Sequence, residues 1–208
     1  MIFIRELEPS IIRGHKNTME PNILYDWALE TFDGEITECP KDRVYLLPCG
    51  TKTYTWVVIK GIFFTADKTE FSDTELANTI WMPGNLIHSF DENIVLPCHT
   101  LTDVVLCRIP SEEFNEKVAA DAELSFALAK HYHDQFRSTL SNYRHSALDP
   151  SDVRIKAIEE QFANIDELQD AHISDAVIAL FTGLHRVSVN RLRKGHKRKK
   201  SDEHPDQE

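Results

Sequence analysis

The stretch from Leu180 to Lys200, LFTGLHRVSVNRLRKGHKRKK, carries eight Lys and Arg residues and no acid. It stands near the end of a 208-residue chain whose formal net charge is -11. Side chains of this type neutralise phosphates, and an Arg can also bond guanine O6 and N7 through two parallel hydrogen bonds. The chemistry expected is recognition of double-stranded DNA. The residues placed to touch it are Arg186, Val187, Ser188, Asn190, Arg191 and Lys194. Val187 offers only apolar contact, for instance to a thymine methyl, and Ser188 suits a phosphate. Arg193, Lys194, Lys197, Arg198, Lys199 and Lys200 would add attraction that ignores sequence.

Such side chains need a frame, and Ala179, Gly183 and Val189 supply its signature. A small residue, a Gly four positions on and a β-branched residue ten after the first is the spacing of a helix-turn-helix. Ala179 lets two helices cross closely. Gly183 tolerates the positive φ of a tight turn. Val189 points back into a core shared with Ile178, Phe181 and Leu192. Ser174 can cap the first helix. The second helix is expected to start near His185 and to end at Gly195, and its N-terminal turns are the part that reaches base edges.

Upstream the texture changes twice. From about residue 24 to 110, RVYLLP, YTWVVIKGIFFTA, ELANTIWMPG, NIVLPC and DVVLCRIP are short β-branched and aromatic runs separated by Gly and Pro. Their even spacing predicts a small barrel or jelly roll. Residues 1 to about 23 are ambiguous and could hold a short helix. At Ser111, a candidate N-cap, helical periodicity begins: Phe114 and Val118, then Ala129, Tyr132, Phe136, Leu140 and Tyr143. No Gly or Pro interrupts it before Leu148. A helix of that length would outrun a domain of this size, so part of it is expected to pack on a second copy of the chain; the alternative is two ordinary helices broken somewhere in the middle. SDVRIKAIEEQFANI restarts a helix with Ile155, Ile158 and Phe162 on one face, and DELQDAH reads as a linker.

Composition bounds the rest. The chain is 41% hydrophobic and 27% charged, which suits a globular protein. It has no run of about 18 apolar residues, so no membrane span is expected. Arg and Glu inside the N-terminal apolar stretch argue against a secretory signal, and the expected location is the cytoplasm. Cys39, Cys49, Cys98 and Cys107 lack CxxC spacing and read as reduced thiols. His131 and His133 do not have the i, i+4 spacing of a metal pair. No metal, cofactor or catalytic residue is expected.

LPCGTKTYTWVVIKGIFFT, WMPGNLIHSF, DVVLCRIPSEEFNEKV and above all ISDAVIALFTGLHRVSVNRLRK resemble, in this order, segments of the CRP/FNR superfamily of bacterial transcription regulators. The resemblance covers about residues 40 to 194. It implies an α+β fold: an N-terminal β jelly-roll sensor domain of the cyclic-nucleotide-binding-like type, a long dimerisation helix, and a C-terminal helix-turn-helix domain with a reduced or absent wing. It places the boundaries at 1–110 for the sensor, 111–148 for the dimerisation helix, 149–200 for the DNA-binding domain and 201–208 for an acidic tail. It puts Arg186, Val187 and Arg191 on base-reading positions, Val187 replacing a common Glu.

The departures are specific. NLIHSFDEN and NIVLPCHT lack the Gly-Glu and Arg-Ser pairs that hold a cyclic phosphate, so cAMP would have no Arg partner. The close N-terminal cysteines of iron–sulfur members are missing. After Gly195 no β pattern for a wing follows. The effector site implied between barrel and long helix is lined by Trp56, Trp81, His88, Phe90, Leu128 and Tyr132, which suits a small apolar or aromatic effector. The function implied is an allosteric, dimeric DNA-binding regulator of a palindromic operator, with RNA polymerase a further candidate partner. Two alternatives stand beside it: a ligand-binding or dimerising modulator without productive DNA binding, and a cupin-like metal enzyme. The barrel offers only His88 and His99, with no HxH pair, to the latter.

Overall fold

The structure, a computed structural model, describes residues 23–69, 72–169 and 171–202; within these, the side chains of 23, 67–69, 72–74, 138, 141–148 and 195–202 are not described. The segment 1–22, Tyr143's side chain, those of Lys197, Arg198, Lys199 and Lys200, and the end of the acidic tail therefore lie outside the described residues. The order is α1 (Ile23–Thr31), β1 (Glu35–Cys39), β2 (Val44–Cys49), β3 (Tyr54–Lys60), β4 (Phe63–Thr69), β5 (Ser72–Trp81), β6 (Leu86–Ile87), β7 (Ile94–Thr100) and β8 (Val104–Pro110). Helices α2 (Ser111–Ala120), α3 (Ala122–Leu148), α4 (Ser151–Ala163), α5 (Asp175–Thr182) and α6 (Arg186–Asp202) follow. The fold is α+β. Contacts divide the chain into two compact units, one of residues up to Thr65 with Ile80–Phe136, the other of Ala66–Thr79 with the residues from Arg137 onward.

The eight strands make two four-stranded sheets, ordered β1-β8-β3-β6 and β2-β7-β4-β5. The pairings of β8 with β1 and β3, of β3 with β6, and of β7 with β2 and β4 are all antiparallel. Strands β3 and β8 are largely apolar at their centres, because both of their faces are covered there, with Lys60 and Arg108 as the charged exceptions. Trp56, Val58, Val104 and Leu106 turn toward the other sheet and join Cys39, Leu47, Cys49, Phe63 and Trp81 in one buried cluster. Val57, Ile59, Cys107 and Ile109, on alternate positions, pack instead with Leu24, Ala28, Phe114, Val118, Leu124 and Leu128 of α1, α2 and α3. A strand covered on both faces loses the polar alternation of a half-exposed one. Strand β2 alternates in burial though not in residue type: Leu47 and Cys49 are buried, while Val44 and Leu46 are exposed. At the β3–β4 turn Gly61 has φ +84, and a Cβ there would stand 2.1 Å from the Asp103 carbonyl oxygen, so the turn admits only Gly.

Four expectations change. The stretch taken as β from residue 24 begins with a helix, α1, whose Leu24, Ala28 and Phe32 are buried. The single long helix is broken near its start at Asp121, which is extended at φ -125 and ψ 116. Its carboxylate oxygen Oδ1 accepts the backbone N–H of Glu123 at 2.8 Å and of Leu124 at 3.2 Å. That is an N-cap, and it starts a separate 27-residue helix, about 40 Å long. Ser111 does not cap α2; Pro110 occupies the cap position without a side-chain bond. Gly195 does not end α6, whose backbone runs on to Asp202. A single helical Gly costs only about 1 kcal/mol, and the Lys- and Arg-rich flanks are good helix formers. Within the expected linker, Asp166–Leu168 form a 3-10 turn that buries Leu168.

Candidate functional site

The helix-turn-helix forms as its spacing requires. Ser174 caps α5, its hydroxyl accepting the Val177 N–H at 3.3 Å. Gly183 sits at φ 65, ψ 16, in the left-handed region. Ile155 of α4, Ile178 of α5 and Val189 of α6 are all fully buried, with Ile173, Ala179, Leu184 and Leu192 packed against them. Phe181 meets Phe162 edge-on at 5.3 Å. Arg154 of α4 donates from Nη1 to the Thr182 carbonyl at 2.7 Å, satisfying an acceptor left over at the end of α5. The first turn of α6 is bound back by His185: its carbonyl accepts from Ser188 and Val189, and its Nδ1 accepts the Val187 N–H at 3.4 Å.

This frame exposes Arg186, Val187, Asn190, Arg191 and Lys194, while Ser188 is half-buried. Val187 is 68% exposed. Two side chains expected to meet DNA are instead bonded to other residues of the unit. Arg193 donates from Nε to Glu159 at 2.8 Å, and from Nη1 to Asp175 at 2.6 Å and to the Ile173 carbonyl at 3.1 Å. It ties three segments together and is not a free phosphate contact. Asn190 donates from Nδ2 to the other Asp175 oxygen at 2.6 Å. The Asn190 amide and then Arg193 hold the Asp175 carboxyl below its ordinary value, so it is ionised near neutrality. With one Nδ2 hydrogen committed in this way, the amide's orientation is fixed by Asp175 and not by a base. The free reading set is Arg186, Val187, Arg191 and Lys194.

The expected effector residues separate into two groups. Trp56 and Trp81 belong to the interior between the sheets. Trp56 Nε1 donates to the Pro48 carbonyl at 2.8 Å and Trp81 Nε1 to Thr65 at 3.1 Å, so both are fixed core. His88, Phe90, Leu128 and Tyr132 gather on the other side of β3, with the helices. His88 lies 5.3 Å from Phe90, 5.2 Å from Phe114 and 6.4 Å from Tyr132 between ring centres. Phe90 and Tyr132 are 5.2 Å apart. Leu128 and Phe114 are buried in the same cluster, and Tyr132 packs against it.

The chemistry here is neutral. His88 is 8% exposed, and burial, aided by His131, lowers its pKa to about 4. Its Nδ1 is 2.7 Å from the Thr55 hydroxyl, itself 3.0 Å from that of Ser111. Thr55 and Ser111 are fully buried. Nothing in the sequence marked them; only the pairing of β3 with β8, and the start of α2, brings them together. On α3, His131 Nε2 lies 2.7 Å from the Leu86 carbonyl. The four cysteines are buried and free. Burial pushes the Cys49 thiol up to about 12 and Cys107 to about 11, which leaves both as unreactive thiols. Among the described residues, no three His, Cys, Asp or Glu side chains cluster to hold a metal, and no helix is long and apolar enough to cross a membrane.

No protein-family model matches the chain, and no curated protein matches it in sequence. Its fold does have matches among solved structures. CLP, the c-di-GMP responsive global regulator of Xanthomonas campestris, has a TM-score of 0.67 at 15% identity, over 80% of this chain and 87% of that one. FixK2 from Bradyrhizobium japonicum has a TM-score of 0.64 at 11% identity, over 80% and 86%. A CRP/FNR family transcriptional regulator from Thermus thermophilus has 0.60 at 18%, over 79% and 87%. The sheets, the long helix and the helix-turn-helix thus compose, in this chain, the fold of the CRP/FNR transcription regulators.

Proposed function

We propose that this protein is a dimeric, DNA-binding transcription regulator of CRP/FNR type, and not an enzyme, with residues 1–110 as sensor, 111–148 as dimerisation segment and 149–200 as DNA-binding domain. The observation that carries this reading is the surface of α6. Arg186, Arg191 and Lys194 are exposed beside Val187, on a helix whose core contacts and Gly183 turn hold it rigidly. Arg186 and Arg191 supply guanine contacts, Val187 meets a thymine methyl, and Lys194 meets phosphate.

The long helix supports the dimer. Phe126, Ala129, His133, Phe136 and Leu140 are exposed and recur at intervals of three and four, the seam of a two-stranded coiled coil. Phe126 and Phe136 are 74% and 66% exposed, which a second copy of the helix would cover. A dimer of this kind reads a palindrome whose half-sites are about one helical turn apart. An apolar or aromatic effector bound at His88, Phe90, Leu128 and Tyr132 would favour one of two helix arrangements and so tune that spacing. CLP responds to c-di-GMP, whose two phosphates would need cationic partners; the aromatic cluster here is neutral, which favours a different effector.

The test is fluorescence anisotropy of the full chain on DNA from upstream of its own gene, over a range of salt. Specific binding whose logarithm falls linearly with log salt is expected. Replacing both Arg186 and Arg191 with Ala should weaken it at least about thirtyfold, since each paired guanine contact is worth about 1–3 kcal/mol. Unchanged affinity in that variant would remove the DNA-binding reading.

A further inference from the structure

We propose that His88 and Tyr132 are the polar end of the effector site and select an uncharged hydroxy-aromatic molecule, of which phenol is the smallest example. This deepens the effector reading above and rests on it. Two buried polar atoms point to it: Nε2 of His88 and the hydroxyl of Tyr132 are enclosed without a hydrogen-bond partner. Each loses its hydration and regains nothing, an arrangement proteins rarely keep unless something else completes it. Their rings are neighbours, with centres 6.4 Å apart.

The walls define the rest of the molecule. Phe114 lies against His88, and Phe90 against both His88 and Tyr132, so the body that fits is flat and apolar. Phe90 is 68% exposed, so the cluster meets solvent on its side. A charged group does not fit. The nearby Lys117 ammonium lies over the Phe32 ring and is paired with Glu113. His131 is occupied by the Leu86 carbonyl, and its burial disfavours the imidazolium. A carboxylate or phosphate would therefore be desolvated here with no compensating cation.

The hydrogen-bond logic selects a hydroxyl over a carbonyl. The His88, Thr55 and Ser111 chain can run in either direction. In one direction Nε2 carries the proton; in the other it accepts one. A ligand hydroxyl donates to one orphaned atom while accepting from the other, and so completes both in either tautomer. A carbonyl does so only when Nε2 is protonated.

Isothermal titration calorimetry of the full chain with phenol and, separately, with benzoate at pH 7.5 decides the matter. Phenol should bind saturably, and benzoate about thirtyfold more weakly or not at all. Tyr132→Phe keeps the ring and should weaken phenol about fivefold to tenfold; His88→Gln should weaken it comparably. A thermal melt of each variant separates lost binding from lost folding, and Tyr132→Phe is expected to melt within a few degrees of the parent. Equal affinity for benzoate, no heat from phenol, or phenol binding indifferent to Tyr132→Phe in a folded protein would each overturn the proposal. Operator binding, measured separately, distinguishes the two readings. Operator binding without phenol binding sinks this inference alone, while phenol binding without operator binding sinks the regulator and leaves the ligand site.

Discussion

The two units of the chain use polar groups in opposite ways. In the interior of the barrel unit they are buried and neutral, its ion pairs lying at the surface: Thr55, His88 and Ser111 form a chain of hydroxyls and one imidazole, and the thiols are held protonated. In the helix-turn-helix unit they are charged and half-open to solvent: Asp175, Glu159 and Arg193 pair at 2.6–2.8 Å, with Arg193 and Asp175 19% and 20% exposed. Burial in the first makes charge too costly, so hydrogen bonds between neutral groups set the geometry. Partial exposure in the second lets ion pairs persist, and they lock the helices that carry the free cations. A site for a neutral ligand and a surface for a polyanion thus follow from two levels of burial in one chain.

That contrast can be broken most severely at the barrel's apolar support. Phe114 is fully buried, contacting His88, Phe32 and Trp27. Phe114→Ala should destabilise the barrel unit by about 3–5 kcal/mol, read by chemical denaturation, and leave the far-UV signal of the folded helices intact at low denaturant. The neutrality of His88 gives the next effect. Its folded pKa is depressed to about 4 from 6.5, so between those values the unfolded chain binds the proton first. Stability contributed by the neutral form is complete above pH 6.5 and is lost as the pH falls through about 4, by on the order of 3 kcal/mol in all. Denaturation midpoints measured from pH 7.5 to 4.5 should fall accordingly, and His88→Gln should flatten the slope over that window.

In the charged unit, Arg193→Ala leaves Asp175 and Glu159 without their cation and should cost about 2 kcal/mol. Thermal unfolding of this variant should be affected more at low salt than a barrel variant of equal cost, because ion pairs are screened and apolar contacts are not. Gly183→Ala places a Cβ at φ 65 and should cost about 1 kcal/mol, with operator affinity following stability. The smallest effect sharpens the comparison most. Asn190→Ala should change operator affinity by less than about twofold, because its amide already serves Asp175, whereas Arg191→Ala should weaken it about tenfold or more. Anisotropy titrations of the pair on one operator read both.

Much of this is legible in the sequence. The Ala179, Gly183 and Val189 spacing located the helix-turn-helix because a close crossing, a left-handed turn and a buried β-branched residue each admit few residue types. The barrel strands were readable as apolar runs between Gly and Pro. A broken helix is an alternative the sequence leaves open, but it does not mark Asp121, because a carboxylate cap interrupts a helix without Gly or Pro; α1 is hidden because its apolar residues also fit a strand.

The site was legible only in part, and the reason is distance along the chain. Composition and local spacing determined that α6 would be cationic, that Gly183 would turn and that the barrel would be apolar, since these depend on neighbours a few residues apart. Tertiary structure decided that Trp56 faces the interior while His88 faces the helices, that Thr55 meets Ser111 56 positions away, and that Asp175 claims Asn190 and Arg193. Hydrogen bonds and ion pairs form between whichever groups the packing brings within about 3 Å, and no local pattern encodes which those will be.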